Sequence, residues 1–250
     1  MCTADVLEPP GARRGDAGPR WAGVEWPLDP IDGDAELSWL DDALHGRERA
    51  VVWSAPRGLV APLSYRRHAG LDAACTAFAA AGWPVRLRRS GGGVVPQGPG
   101  VLSLSLAYRA GGAPGSQAEP VYAHLCTALS SALAWLGIDA RPRAVHGSFC
   151  DGRFNLAVGE RKIAGTAQYW RRAGDRHAVL AHAVLLFDAD TELLNAQANA
   201  FEAALGSGRR YEADTLTTVA REWRAAHRGE SPPHDLVAQL RRHIAAALAA

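Results

Sequence analysis

Apolar residues recur along this chain at two spacings, and the switch between them marks out its elements. Leu37, Leu40 and Leu44, with Trp39 alongside, fall three and four apart, which predicts an amphipathic helix over Asp34 to Leu44. Short apolar runs at Arg49 to Trp53 and Gly58 to Pro62 read as strands, and Leu71 to Ala81 as an alanine-rich helix. That helix is closed by Gly82, with Pro84 just beyond. Val85 to Arg89 alternates, as a strand does. The alternation is cleanest from Val101 to Tyr108, where Leu102, Leu104 and Leu106 oppose Ser103 and Ser105. Gly111 to Glu119 reads as a flexible loop, Tyr122 to Leu136 as a helix ended by Gly137, and Ala178 to Phe187 as a strand. Helical spacing returns over Thr191 to Leu205, Leu216 to Ala226 and Leu236 to Leu248. Strands and helices interleave without a strict βαβ series or an internal repeat, so the predicted class is α/β (α+β) with several hairpins. Residues 1–22 lack periodicity and read as a disordered tail. Residues 23–205 form the predicted main domain, with 206–250 as a helical extension packed on it.

The stretch from His146 to Arg172 organises the rest. Phe154 to Val158 and Arg161 to Ala164 flank Gly159-Glu160, and Gly at the first of two loop positions suits a type II′ hairpin turn. In that register Val158 faces Arg161, Ala157 faces Lys162 and Asn155 faces Ala164. One face then carries Phe154, Leu156, Val158 and Ile163, which is core material. The other carries Asn155, Ala157, Lys162 and Ala164 beside Gly165, a cation and an amide among small side chains that leave room for a ligand. Ser148-Phe149-Cys150-Asp151-Gly152 leads a cysteine into the same hairpin through a turn.

Composition changes little in this picture. The 250 residues are 48% hydrophobic, enough for a substantial core, and a net charge of +1 gives no reason to expect nucleic acid or a polybasic membrane contact. No apolar run approaches the ~20 residues that cross a bilayer. The first residues lack the apolar core of a signal peptide, so a cytoplasmic location is predicted. Cys2, Cys75, Cys126 and Cys150 lack metal-ligand spacing; free thiols, and no metal site, are expected.

Two features carry candidate chemistry. Ser90-Gly91-Gly92-Gly93 follows Arg88 and Arg89; consecutive glycines let backbone N–H groups approach a ligand, although such a triplet is more often just a tight turn. It is neither a Walker loop, since no Gly-Lys-Ser/Thr follows, nor a dinucleotide fingerprint, since it opens no helix. Cys150 taken alone would be a small packing residue. Its turn, however, brings the cations Arg153 and Lys162 near in sequence, and positive charge favours the nucleophilic thiolate. Cys75, Cys126, Trp170 and Trp223 read as packing, His124 and His182 as core or surface, and no Ser/His/Asp set stands out.

RRSGGGVVPQGPGVLSLSL resembles the arginine, serine and triple-glycine loop of the lipoate–protein ligase and octanoyltransferase superfamily. GSFCDGRFNLAVGERKIAGTAQ resembles its second signature, a lysine followed by a small residue and Gly. The order of the two also fits. The resemblance implies the fold shared with biotin–protein ligases, a mixed and largely antiparallel sheet flanked by helices. It implies that Arg89, Ser90, Gly91, Gly92 and Gly93 line an acyl pocket, and that Lys162 binds the acyl carbonyl or an activating phosphate. Asn155, Ala164, Gly165 and Ala167 complete the substrate-binding set.

SFCDGRFNL looks most like the branch that holds octanoyl as a thioester on cysteine, which makes Cys150 and Lys162 the catalytic pair and requires no cofactor. The implied partners are lipoyl acceptor domains of 2-oxoacid dehydrogenase complexes and the glycine-cleavage H protein, with an octanoyl or lipoyl group as cargo. Two alternatives stay open. An ATP-dependent lipoate–protein ligase would use ATP and Mg and form a lipoyl-adenylate; many such ligases carry His-Asp where this chain has Pro96-Gln97. A non-catalytic acyl-binding protein would keep the pocket and lose the chemistry.

Overall fold

The alternating stretch around Leu104 becomes the centre of the larger of two sheets. In the computed structural model, which describes residues 19–250, the elements run α1 (Ala35–Leu44), β1 (Arg49–Trp53), β2 (Gly58–Pro62), α2 (Leu71–Ala80), β3 (Val85–Arg88), β4 (Val95–Gln97) and β5 (Val101–Ala110). They continue with α3 (Pro114–Ala134), β6 (Arg141–Pro142), β7 (Leu156–Val158), β8 (Arg161–Ala173), β9 (Arg176–Leu186), α4 (Thr191–Ala204), α5 (Val219–Ala226) and α6 (Leu236–Ala249). The six-stranded sheet has the order β1-β5-β9-β8-β7-β6 with every pairing antiparallel. The three-stranded sheet is β3-β2-β4, with β2 and β3 parallel on either side of α2.

One face of the large sheet is sealed and the other is only partly covered. Leu104, Leu106, Leu156 and Ile163 pack with Leu125, Leu129 and Leu133 of α3 and Leu240, Ile244 and Leu248 of α6. On the opposite face, α1 lays Trp39, Leu40 and Leu44 over Val51, Trp53 and Leu180. The small sheet and α4 bring Leu59, Ala61, Leu194 and Phe201 over Leu186. Register places Ser103 opposite Trp53 and Val184, Ser105 opposite His182, and His182 opposite Ala167. These small and polar positions lie between the two covers, and there a slot opens.

Several elements depart from the sequence reading. The predicted loop at Gly111 to Glu119 is mostly helix: α3 starts at Pro114, where a proline lacks only an N–H that the first turn leaves free, and runs through Pro120. The helix expected from Leu216 begins at Val219, because Leu216 instead bridges Lys162 in parallel. Trp21, assigned to the tail, is 6% exposed; its backbone N–H donates to the Leu248 carbonyl at 3.0 Å and its ring meets Tyr108 edge-on. The rest of the predicted tail, residues 1–18, lies outside the described residues.

The central hairpin holds with one change. Gly159 has φ +58° and Glu160 does not enter the positive region, as a type II′ turn requires. Val158 pairs with Arg161 and Ala157 with Lys162, but a bulge follows and Leu156, not Asn155, stands opposite Ala164. The extra residue moves Ala164 into the core with Leu156 and Ile163, and frees Asn155 from the ladder.

Candidate active site

Cys150 stands where the slot ends. Its backbone has φ +55°, a left-handed conformation uncommon outside glycine, and three side chains hold the turn in place. Lys162, on β8, donates from Nζ to the Phe149 carbonyl at 2.6 Å and the Cys150 carbonyl at 3.2 Å. Asn155 Nδ2 donates to the Cys150 carbonyl at 3.1 Å, so the residue released by the bulge caps the cysteine turn. Asp151 Oδ1 accepts from the Val145 N–H at 2.9 Å, and Oδ2 lies 3.1 Å from His146 Nδ1.

Lys162 is 2% exposed and faces the Phe149 ring at 5.2 Å. Burial lowers its pKa from 10.5 to about 8; Cys150 and Asp151 oppose that fall and Arg88 adds to it. Two of the three ammonium hydrogens are engaged by carbonyls, which leaves one for a substrate oxygen. Gly165 makes room for the side chain: a Cβ there would lie 3.0 Å from Nζ.

The glycine loop closes over the thiol. Gly92 has φ +105°, and a Cβ on it would come within 2.2 Å of Cys150 Sγ, so glycine is required there on both counts. Arg88, rather than Arg89, shapes the loop, donating to the carbonyls of Val60, Gly91 and Gly93, each at 2.8 Å.

Two cavities meet at Cys150. The slot, with about 690 Å³ of empty space including its opening, runs from Phe149, Cys150, Lys162 and Gly165 past Ala167, Val184 and Leu186 to Trp53 and His182. The second is an open cleft lined by Gly92, Gly93, Gly147, Ser148, Cys150, Asp151, Arg209, Arg210 and Tyr211. The predicted site residues therefore divide. Cys150, Lys162, Gly165 and Ala167 line the slot, and Gly92 and Gly93 face the cleft. Arg89 and Ser90 line a neighbouring cavity beyond His182, Gly91 lines none of these three, Asn155 stands behind the cysteine turn, and Ala164 is in the core.

At the inner end of the slot is a polar relay that the sequence reading missed. Trp53 Nε1 donates to Ser105 Oγ at 2.9 Å, and Ser105 Oγ donates to Glu36 Oε1 at 2.6 Å. Glu36 Oε1 lies 3.0 Å from His182 Nδ1, and His182 Nε2 lies 3.1 Å from Ser90 Oγ. A carboxylate only accepts, so the histidine hydrogen is on Nδ1. Burial alone would raise the Glu36 pKa; the pull of His182, Ser105 and Arg86 outweighs it and holds the carboxyl below its ordinary range. One signal was available in the sequence. Glu36 precedes Leu40 by four, which puts it on the buried face of α1. The partners Ser105 and His182 come from strands distant in sequence, and only their pairing reveals the set. Cys126 is a packing residue in the structure, its thiol pushed up to about 12 by burial.

Comparison with known proteins identifies the framework. The model of the lipoyl protein ligase A/B catalytic domain matches residues 65–221, more than half of the chain. The chain belongs to that family. It is 51% identical over 224 residues to an uncharacterized protein of Cupriavidus necator, covering 85% of this chain and 88% of the other. It is 43% identical over 117 residues to an octanoyl-GcvH:protein N-octanoyltransferase of Kyrpidia tusciae, a match spanning 44% of this chain and 40% of that enzyme. A T. acidophilum protein solved with bound lipoic acid has the same fold, with a TM-score of 0.55 at 20% identity over 88% of this chain and 93% of the other. The mixed, largely antiparallel sheet flanked by helices is thus the fold of the lipoate protein ligases, and the family is one of lipoyl- and octanoyl-transferring enzymes. No helix among the described residues is long and apolar enough to cross a membrane.

Proposed function

We propose that this family member is an acyltransferase that carries an octanoyl or lipoyl group as a thioester on Cys150 and delivers it to the lysine of a lipoyl acceptor domain. The observation that carries the reading is the position of Cys150: its thiol lies beneath Gly92, at the junction of an apolar slot and an open cleft, and its carbonyl accepts from the buried ammonium of Lys162. The slot takes the acyl chain, and the cleft admits the lysine of the donor and then of the acceptor. The name of the Kyrpidia tusciae relative points the same way.

The steps balance without a cofactor. The Cys150 thiol gives up its proton to solvent and attacks the acyl carbonyl of the donor as the thiolate; a C–S bond forms, the donor's C–N bond breaks, and the departing lysine nitrogen takes a proton back from solvent. Lys162 Nζ donates its remaining N–H to the carbonyl oxygen as that oxygen gains charge. The acceptor's neutral amine then attacks the thioester. A C–N bond forms, the C–S bond breaks, and the amine's surplus proton passes to the released thiolate or to solvent.

Intact-protein mass after mixing with an octanoylated carrier domain, without ATP, tests this. The expected result is an octanoyl adduct that hydroxylamine removes and that Cys150→Ser abolishes. Absence of the adduct, with acceptor modification appearing once lipoate, ATP and Mg are supplied, would make the protein a ligase. Binding of the acyl group with no turnover under either regime would make it a non-catalytic acyl-binding protein.

A further inference from the structure

The open cleft beside Cys150 has a charge pattern of its own. Arg209 and Arg210 line it, both exposed, and among the described residues neither has a carboxylate within ion-pair distance. Across the cleft its one carboxylate is Asp151, next to the cysteine. The arginines are set on a fixed backbone. The Tyr211 N–H donates to Asn199 Oδ1 at 2.7 Å, and the Tyr211 carbonyl accepts from Asn199 Nδ2 at 2.8 Å and Asn195 Nδ2 at 3.1 Å. The Tyr211 hydroxyl donates at 2.7 Å to Glu202, which also accepts from Tyr65 and is fully buried. One residue further on, the Glu212 N–H donates to the Gly147 carbonyl at 2.8 Å, which ties this strap to the cysteine loop. Arg209 Nη1 reaches the Tyr65 hydroxyl at 3.4 Å and abuts Gly93, so this guanidinium forms a wall; Arg210 is free at the rim.

From this arrangement we infer that the Arg209–Arg210 strap is the docking surface for the protein substrate, and that it fits a lysine carried on an acidic surface. Asp151 faces the incoming ammonium, and the two guanidiniums take carboxylates flanking that lysine. This deepens the thioester reading and rests on it, because it assigns the cleft to the amine partner. Charge at the rim of such a cleft acts on encounter and on KM, and salt screens it.

The test compares two acyl sources, an octanoylated lipoyl domain and the octanoyl thioester of N-acetylcysteamine, for the wild type, Arg210→Glu and Arg210→Lys. The expected result is a shift of about tenfold in the ratio of kcat/KM for the domain to that for the small thioester in Arg210→Glu. It arises in KM, Arg210→Lys reverses most of it, and only the wild type and the lysine variant lose activity toward the domain as salt rises. A ratio unchanged within about twofold, or equal losses in the two variants, would overturn the docking assignment. If the wild type loads neither acyl source and instead needs lipoate and ATP, the thioester reading has failed on its own. The docking assignment is then read from the acceptor-domain KM in that assay, where a rise in the ATP KM alone would overturn it and mark a phosphate site.

Discussion

The two cavities that meet at Cys150 are built by different means. The slot has a floor of strands: Gly165 and Ala167 from β8, His182 and Val184 from β9, Ser103 from β5 and Trp53 from β1, all fixed by the register of one sheet. The cleft has no strand in it. Its walls are the glycine loop, the turn from Gly147 to Asp151, and the strap from Arg209 to Tyr211. A narrow chain of methylenes needs a shape held constant, which a sheet supplies; a protein surface needs reach and charge, which loops on a rigid frame supply. The cysteine belongs to the loop side and is fastened to the sheet side by Lys162, so this one lysine couples the two.

The largest effect on that division should come from breaking the coupling. Lys162→Ala removes the anchor of the cysteine turn and, on the proposed mechanism, the donor to the acyl carbonyl, with an expected loss of about 10²–10³ in kcat. The ionisation gives a sharper test. With a pKa near 8, Lys162 loses its proton well before an ordinary lysine, so activity that depends on its charge falls as pH rises through about 8. Lys162→Arg should move that descending limb upward, and a limb unchanged by the substitution would assign the pH dependence elsewhere. Stability follows the opposite course. Because the folded state binds this proton more weakly than the unfolded state, the wild type should gain relative to Lys162→Met between pH 8 and 10.5, with no such gain below pH 8. Chemical denaturation at pH 7 and pH 10 measures it.

A smaller effect is expected where the glycine loop touches the thiol. Gly92→Ala places a Cβ against Cys150 Sγ and forces φ +105° on a side-chain-bearing residue, so loop and thiol must shift apart. A displacement of about an ångström is worth up to ~10²-fold in rate, and the left-handed backbone costs ~1–2 kcal/mol in stability. Gly91→Ala, with open space around its Cβ position, is the control and should stay within about threefold of wild type. Equal losses at both positions would mean that the contact with Cys150 carries nothing.

How far the site could be read from sequence follows the same division. The hairpin was legible because Gly159 announces its turn and the period of two announces its faces, and the pairing of Ala157 with Lys162 came out as expected. The bulge was not legible, since nothing local marks the residue that drops out of the ladder; it moves Ala164 from the ligand side to the core and takes Asn155 out of the ladder to the back of the cysteine turn. Arg88 and Arg89 are alike in sequence, and only the fold of the loop decides which is turned inward to its carbonyls. The Glu36–His182 relay and the arginine strap arise from pairings between segments far apart in the chain, beyond the reach of any periodicity. Resemblance located the loop and the lysine, whereas the cleft on the far side of the cysteine is visible only once Arg209 and Tyr211 are brought beside Gly93.

An effect smaller again sharpens the comparison most directly, because it is confined to one cavity. Shortening the acyl chain from octanoyl to hexanoyl removes two methylenes from an apolar slot walled by Val60, Val95, Val184 and Leu186. At ~0.8 kcal/mol for each buried CH₂ this is worth about 1.6 kcal/mol, or roughly 15-fold in kcat/KM with small thioester donors. The loss should appear in the loading of Cys150. Once either thioester has formed, the KM for the acceptor domain should be the same for both chains, since the acceptor meets only the cleft. If the acceptor KM followed chain length, the two cavities would be one continuous site, and the division of labour at Cys150 would have to be abandoned.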